Sequence, residues 1–146
     1  GFNSMGLIVP DENYKPLLDL VYWPIKLYRD STSKDPLNPD TMVFVEQGGD
    51  QFGWVQSMGT IHGITGERRI LLVNKKETPL EIDLTVEGVT SPWSGTMQSI
   101  IGGGPNQSIE DGYHQMELQG VVLESRVSSE TQLVLEPFSM NVITLD

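Results

Sequence analysis

Acidic side chains are the most abundant groups in this sequence that could do chemistry, with 20 Asp and Glu residues against nine Lys and Arg. Two carboxyl groups about 5–10 Å apart, with pKa values driven in opposite directions, can serve as a general acid and a base or nucleophile. Glu81 and Asp83 are spaced to share one face of a β-strand. They alternate with Leu80, Ile82 and Leu84, which predicts that both carboxylates face solvent. We therefore predict no catalytic residue in this chain.

Metal and cofactor sites receive little support from the residue types. There is no cysteine, and His62 and His114 are the only histidines. His114 is in phase with the apolar residues Met116 and Leu118, which favours a packed side chain over a ligand. A calcium site stays an open alternative, because three acidic residues occur in predicted loops, namely Asp50, Glu110 and Asp111. Their spacing is not that of an EF-hand loop. We predict no cofactor and no metal.

Aromatic residues next to polar ones are the candidates for ligand binding. An exposed ring can stack on the C–H face of a sugar while amides and carboxylates bind its hydroxyl groups. Three aromatic residues have such neighbours: Trp54 near Gln51 and Gln56, Trp93 between Ser91 and Ser94, and Tyr113 after Glu110 and Asp111. The alternative is that each ring covers the edge of a core or packs against another domain.

Charge and composition exclude several partners. The formal net charge is −11, which repels nucleic acid and anionic membranes and favours neutral ligands or cations. No apolar run approaches the roughly 18 residues that a membrane span requires. The length of 146 residues fits one domain, and 15 glycines and nine prolines are typical of a turn-rich β protein.

Helical periodicity is confined to the first fifth of the chain. Apolar residues recur at three- and four-residue spacing over 16–29, and Pro16 suits a first helical position. Pro24 lies inside this pattern, so we expect a kink or a restart of the helix there. Residues 31–40 contain two prolines and one large apolar residue, which predicts a surface linker.

After Asp40 the pattern has a period of two. The clearest half-buried strand runs from Leu80 to Val86, with Glu81, Asp83 and Glu87 on its solvent side. The predicted strands are Met42–Val45, Gln51–Ile61, Ile70–Val73, Leu80–Val86, Met97–Ile101, Tyr113–Leu118, Val121–Val127, Leu133–Leu135 and Phe138–Leu145. About eight short strands separated by turns predict an all-β fold, an antiparallel β-sandwich preceded by one kinked N-terminal helix.

Three stretches, in order, resemble the end of a retaining glycoside hydrolase of the TIM-barrel clan, such as the α-L-arabinofuranosidases and β-xylosidases. Gly6–Asp30 resembles the segment that closes the last barrel strand and forms the last barrel helix. Leu71–Thr78 (LLVNKKET) resembles a hairpin of the C-terminal sandwich, and Leu133–Leu145 (LVLEPFSMNVITL) resembles its closing strand pair, with a break at Pro137.

The resemblance implies a division into three parts: residues 1–30 as the junction and terminal helix of a missing catalytic barrel, 31–40 as a linker and 41–146 as an accessory sandwich. The catalytic carboxylates of such enzymes lie on barrel strands upstream of this segment, and the sandwich stabilises the barrel. A strand from before the barrel often completes that sandwich. The implied partner is the barrel of a polysaccharide-degrading enzyme, and the implied location is secreted or periplasmic.

Two alternatives remain open at this stage. The chain could be an autonomous carbohydrate-binding module for neutral plant cell-wall polysaccharide, which would require several exposed aromatic rings on one surface. The excised segment would also expose a sheet edge and an apolar helix stripe of Leu17, Val21, Trp23 and Tyr28. We expect that helix either to fold back onto its own sandwich or to mediate a homodimer.

Overall fold

A computed structural model describes residues 8–10, 16–18, 22–49, 53–88, 92–102 and 122–146. Within them the chain forms one helix and short antiparallel strands, which confirms the predicted all-β sandwich. The elements are β1 (Ile8–Pro10), β2 (Pro16–Leu18), α1 (Tyr22–Asp30), β3 (Thr41–Val43), β4 (Val55–Ile61), β5 (Arg68–Asn74), β6 (Leu80–Ile82), β7 (Ser94–Ile101), β8 (Leu123–Ser128), β9 (Leu133–Leu135) and β10 (Ser139–Leu145).

Two antiparallel sheets make up the sandwich. The larger one has six strands in the order β3-β4-β5-β10-β7-β8, and the smaller one pairs β6 with β9. A separate hairpin joins β1 to β2. The break expected at Pro137 is present, because β9 ends at Leu135 in the small sheet and β10 begins at Ser139 in the large one.

The face of the large sheet that contacts the small sheet, called the sandwich face below, carries the main core. Alternate residues of β5, β10 and β8 meet inward-pointing residues of β6 and β9 there, as the period of two requires. The buried apolar cluster consists of Val55, Leu72, Leu80, Trp93, Val127, Leu133, Leu135, Ile143 and Leu145. Ile82, Leu84 and Val86 pack against it, whereas Glu81, Asp83 and Glu87 are exposed. The predicted register of this segment is therefore confirmed.

Asn74, at the end of β5, connects the two sheets. Its side chain is almost fully buried, and Nδ2 lies 3.1 Å from the carbonyl oxygens of both Thr78 and Leu135 and 2.8 Å from that of Glu136. Its Oδ1 accepts the Lys76 amide at 2.9 Å. One side chain therefore satisfies the buried backbone where the chain passes from the large sheet to the small one.

The opposite face of the large sheet, called the helix face, is covered by α1. Leu27 is buried there against Ile100 of β7, Val142 of β10 and Leu71 of β5. Val142 and Ile143 are neighbours on β10 and belong to the two different clusters, because successive side chains point to opposite faces. The helix thus folds back onto its own sandwich, one of the two outcomes that the sequence left open.

The N-terminal segment differs from the expected helix over residues 16–29. Pro16–Leu18 is a strand, and the helix begins only at Tyr22. Pro24 therefore lies in the first helical turn, where its missing N–H would have no partner in any case. The helix thus begins close to Pro24, where the sequence predicted a kink or a restart, and the proline does not interrupt it. Leu17 consequently belongs to β2 and not to a helical stripe.

The predicted strand Leu80–Val86 is shorter in the structure, and one other predicted strand cannot be compared. The regular pairing of Leu80–Val86 stops at Ile82, because β9 opposite it is only three residues long. The burial alternation nevertheless continues to Val86. The predicted strand Tyr113–Leu118 lies outside the described residues.

Candidate functional site

Trp93 was a candidate sugar-binding residue, and its burial corrects that assignment. Only 6% of its surface is exposed, and it belongs to the core cluster of the sandwich face. Its carbonyl oxygen accepts the Ser129 amide at 3.0 Å, next to the turn that follows β8. The ring closes one end of the core, so it offers no free face to a sugar.

Trp54 lies in a very different environment, directly before β4. Its side chain is 49% exposed, and its carbonyl oxygen accepts the Lys75 amide at 2.9 Å, which fixes this position against the end of β5. Because Val55 points into the sandwich core, the alternation along β4 places the exposed Gln56 on the side of the helix face, whereas Trp54 lies in the turn before the strand. A half-exposed indole beside an amide can stack on a sugar or pack against another protein surface.

The three candidate aromatic residues do not form a common binding surface among the described residues. Trp93 is in the core and Trp54 is exposed in the turn before β4, while Tyr113 lies outside the described residues. The other residues weighed for chemistry in that part of the chain, His114, Glu110 and Asp111, also lie outside them, as does Asp50.

The exposed apolar residues at the edge strand β3 are a surface feature that sequence reasoning missed. Thr41, Met42 and Val43 are all exposed, and Phe44, which follows them, is 89% exposed. Among the described strands β3 pairs only with β4, so its outer edge has no described partner. The signal in the sequence was the run Thr41–Val45, which has no alternating polar position, as expected for a strand in contact with apolar surface on both faces.

The direction of Phe44 follows from its neighbours. A Cβ atom built on Gly59 would lie 3.1 Å from Val45 Cγ2 and 3.3 Å from Val43 Cγ2, so both valines lie over Gly59. Gly59 is paired with Ile70, which packs in the sandwich core. Phe44, between the two valines, therefore points to the helix side, as does Met42.

The helix adds further apolar surface on the same side of the molecule. Ile25 and Tyr28 of α1 are both exposed although Leu27 is buried. The name apolar patch is used below for the exposed apolar residues Ile25, Tyr28, Met42, Phe44 and Trp54. Of the stripe expected from the sequence, Tyr28 is thus confirmed as exposed. Val21 and the side chain of Trp23 lie outside the described parts.

Among the described residues, every carboxyl group with a shifted pKa has a pKa below its ordinary value. In each case hydrogen-bond donors stabilise the ionised form and so lower the pKa below its ordinary value. The main donor is Lys26 for Asp30, Asn38 for Asp35, Thr65 for Glu67 and Arg126 for Asp146. A general acid requires the opposite shift. These groups therefore act as ionised hydrogen-bond acceptors.

His62 takes part in a turn between β4 and β5. Its Nδ1 lies 3.0 Å from Thr65 Oγ1 and 3.2 Å from the Thr65 amide, and Thr65 Oγ1 donates to Glu67 at 2.7 Å. No group of three or more His, Asp or Glu side chains in the described part of the chain is placed to hold a metal ion. The described helix is too short and too polar to cross a membrane.

Comparisons with known proteins agree with this architecture. No protein-family model and no curated protein matches the sequence. Several solved structures do match, among them an arabinofuranosidase (TM-score 0.65, 18% identity, 99% of this chain and 32% of that chain) and the α-L-arabinofuranosidase of Thermotoga maritima in complex with arabinose (TM-score 0.64, 17% identity, 97% and 32%).

The fold is that of about a third of an arabinofuranosidase chain. The resemblance inferred from the sequence is thereby confirmed at the level of the fold. The match covers almost all of this chain, including α1, and leaves about two thirds of each enzyme without a counterpart here.

Proposed function

We propose that this chain is the non-catalytic C-terminal accessory domain of a secreted or periplasmic polysaccharide-degrading glycoside hydrolase. The observation that carries the proposal is the fold match, which spans almost all of this chain but only a third of two arabinofuranosidases. The downward pKa shifts of the described carboxyl groups are consistent with a domain that does no acid–base chemistry.

In this proposal the helix side contacts the catalytic barrel and stabilises it. The chain that enters from the N-terminal side passes through α1, which lies on the helix face. Any domain that precedes α1 is therefore tethered next to the apolar patch. Exposed apolar surface of this kind is typical of a contact between domains.

The test uses the longer protein that contains this sequence. Phe44→Gln and Ile25→Gln should each lower the temperature at which its glycosidase activity is lost, by about 2–4 °C for each kcal/mol of contact energy. Val134→Gln is the matched control, because Val134 is an exposed apolar residue on the outer side of the small sheet. Equal effects of all three substitutions, or an unchanged temperature after removal of the whole domain, would contradict the proposal.

An autonomous carbohydrate-binding module is the second candidate, and the exposure of Trp54 is the observation that favours it. Calorimetry of the chain with arabinan, xylan, arabinoxylan and β-glucan would detect such binding. The affinity should be weak, should not depend on salt and should disappear in Trp54→Ala. Light scattering on the same samples tests whether the apolar patch instead joins two copies of the chain into a homodimer.

A further inference from the structure

Residues 31–40, which follow α1 and are called the strap below, are held by their own hydrogen bonds. The Ser33 amide donates to Asp40 Oδ1 at 3.0 Å, and Ser33 Oγ donates to the Asn38 carbonyl at 2.7 Å. Asp35 accepts the Leu37 amide at 2.9 Å, as in an Asx-turn. A surface loop whose ends meet and whose side chains bond to its own backbone is compact, in contrast to a flexible linker.

The strap is also seated on the turn between β4 and β5. Asp40 Oδ1, which holds Ser33, accepts the Gly63 amide at 3.0 Å as well. A Cβ atom at Gly63 would lie 2.0 Å from the Asn38 carbonyl oxygen and 2.5 Å from that of Pro39. The two backbones therefore approach more closely than any residue except glycine allows.

The other end of the strap connects the helix to the sheet. The Ser31 amide and Oγ both donate to the Leu27 carbonyl, at 3.1 and 2.8 Å, and so close the C-terminus of α1. Arg69 of β5 donates to the Ser31 carbonyl and pairs with Glu67. The helix is thus fixed by Leu27 in the core of the helix face and by Ser31 at its end.

We infer that the strap is a rigid clamp, and that α1 and the strands from β3 onward open and unfold as one cooperative unit. Asp40 and Gly63 are its central residues, because they join the strap to the sheet at a separation of 23 residues. Any change in orientation between this sandwich and the polypeptide before it then takes place outside residues 31–40. The boundary of the folding unit lies ahead of α1, in contrast to the linker expected from composition.

Hydrogen exchange on the 146-residue chain, read by mass spectrometry, tests the clamp. An isolated nine-residue helix is only marginally stable, so on a flexible linker its amides would exchange almost freely. With the clamp, the amides of Lys26–Asp30 should be protected by at least about 100-fold, because they open together with the sheet. Protection below about tenfold in the unmodified chain would overturn the inference.

Substitutions at the two central residues sharpen the test. Asp40→Ala removes the acceptor, and Gly63→Ala forces the two backbones apart. Each should lower the protection of Lys26–Asp30 at least about tenfold and leave the amides of β10 unchanged. Gly48→Ala is the control, because Gly48 has open space around it.

Asp40→Asn keeps an oxygen at Oδ1 and should retain the protection. If Gly63→Ala does not fold, the two Asp40 variants and the unmodified chain still decide the outcome. Unchanged protection in Asp40→Ala, or the same loss in Asp40→Asn as in Asp40→Ala, would contradict the role assigned to Asp40 Oδ1.

Discussion

The two faces of the large sheet are built from the same strands but by different means. The sandwich face has nine buried apolar residues in one cluster, and its buried polar groups are asparagine and serine side chains that bond to one another and to backbone. Ser99 donates to Asn141 at 2.7 Å, and Asn141 donates to Ser139 at 2.9 Å. Satisfied neutral groups of this kind rigidify a core without a cost for buried charge.

The helix face relies on fewer apolar contacts and on ions. Its buried cluster is Leu27, Ile100 and Val142, and it is bordered by the half-buried ion pair of Arg69 with Glu67. Met42 and Phe44, at the edge of the large sheet, stay exposed. The difference indicates that the sandwich face provides most of the buried core of the domain, whereas the helix face attaches one helix and leaves apolar side chains exposed.

The matched isoleucines Ile143 and Ile100 test this difference most strongly. Ile143→Ala in the sandwich core should lower the free energy of unfolding by about 4–5 kcal/mol, because the surrounding residues are packed on all sides. Ile100→Ala should lower it by about 2–3 kcal/mol, since the small cluster beside it can collapse into the space. Urea unfolding of both variants measures the two values. If the two costs were the same, the faces would not differ in packing.

The buried Trp93 and the exposed Trp54 are a second matched pair for comparing the cost of truncation. Trp93→Ala should cost about 3–5 kcal/mol as a core truncation. Trp54→Ala should cost less than about 1 kcal/mol, because its ring is half exposed. Thermal unfolding of the two single variants measures the two losses of stability. A cost of several kcal/mol for Trp54→Ala would place its ring in a core and remove it from the candidate surface.

Asn74 allows a test of the polar part of the sandwich face. Asn74→Ala leaves the carbonyl groups of Leu135 and Glu136 without their donor, so we expect a loss of about 2–4 kcal/mol. Gln132→Ala at an exposed position is the control and should change stability by less than about 0.5 kcal/mol. Denaturant midpoints of the two variants provide the comparison. A near-neutral Asn74→Ala would mean that water replaces the amide.

A fall in pH should destabilise the helix face before the sandwich face. This is the smallest of the four stability changes that we expect. The pKa of Glu67 is lowered by the hydrogen bond from Thr65 and by Arg69, so its stabilisation is fully present above the ordinary Glu value. That stabilisation is lost as the pH falls through the lowered pKa. Because the Glu67 side chain is 42% exposed, solvent screening limits this stabilisation to less than about 1 kcal/mol.

The measurement is the unfolding temperature between pH 2 and pH 7 for the unmodified chain and for Glu67→Gln. The two curves should differ at neutral pH and meet at the acid end. Glu81→Gln, at a solvent-facing position of β6, should follow the unmodified chain throughout. A constant offset between the unmodified chain and Glu67→Gln would show that the charge of Glu67 is not involved.

The sequence by itself determined the elements in which burial alternates. Leu80, Ile82, Leu84 and Val86 face the core as predicted, and β9 has the predicted bounds Leu133–Leu135. A period of two is a local property, because each side chain is directed by its own backbone. The break at Pro137 is local in the same sense, since proline removes a donor from the ladder.

Tertiary structure alone decided which of two similar residues became accessible and what held the helix. Trp54 and Trp93 both have polar neighbours in the sequence, yet one is exposed and the other is in the core, because burial depends on strands that are distant in the chain. The strap resembles a linker in composition, but Asp40 bonds to Gly63 across 23 residues. Local patterns carry no information on such long-range contacts, so the contact between Asp40 and Gly63 could be found only in the folded chain.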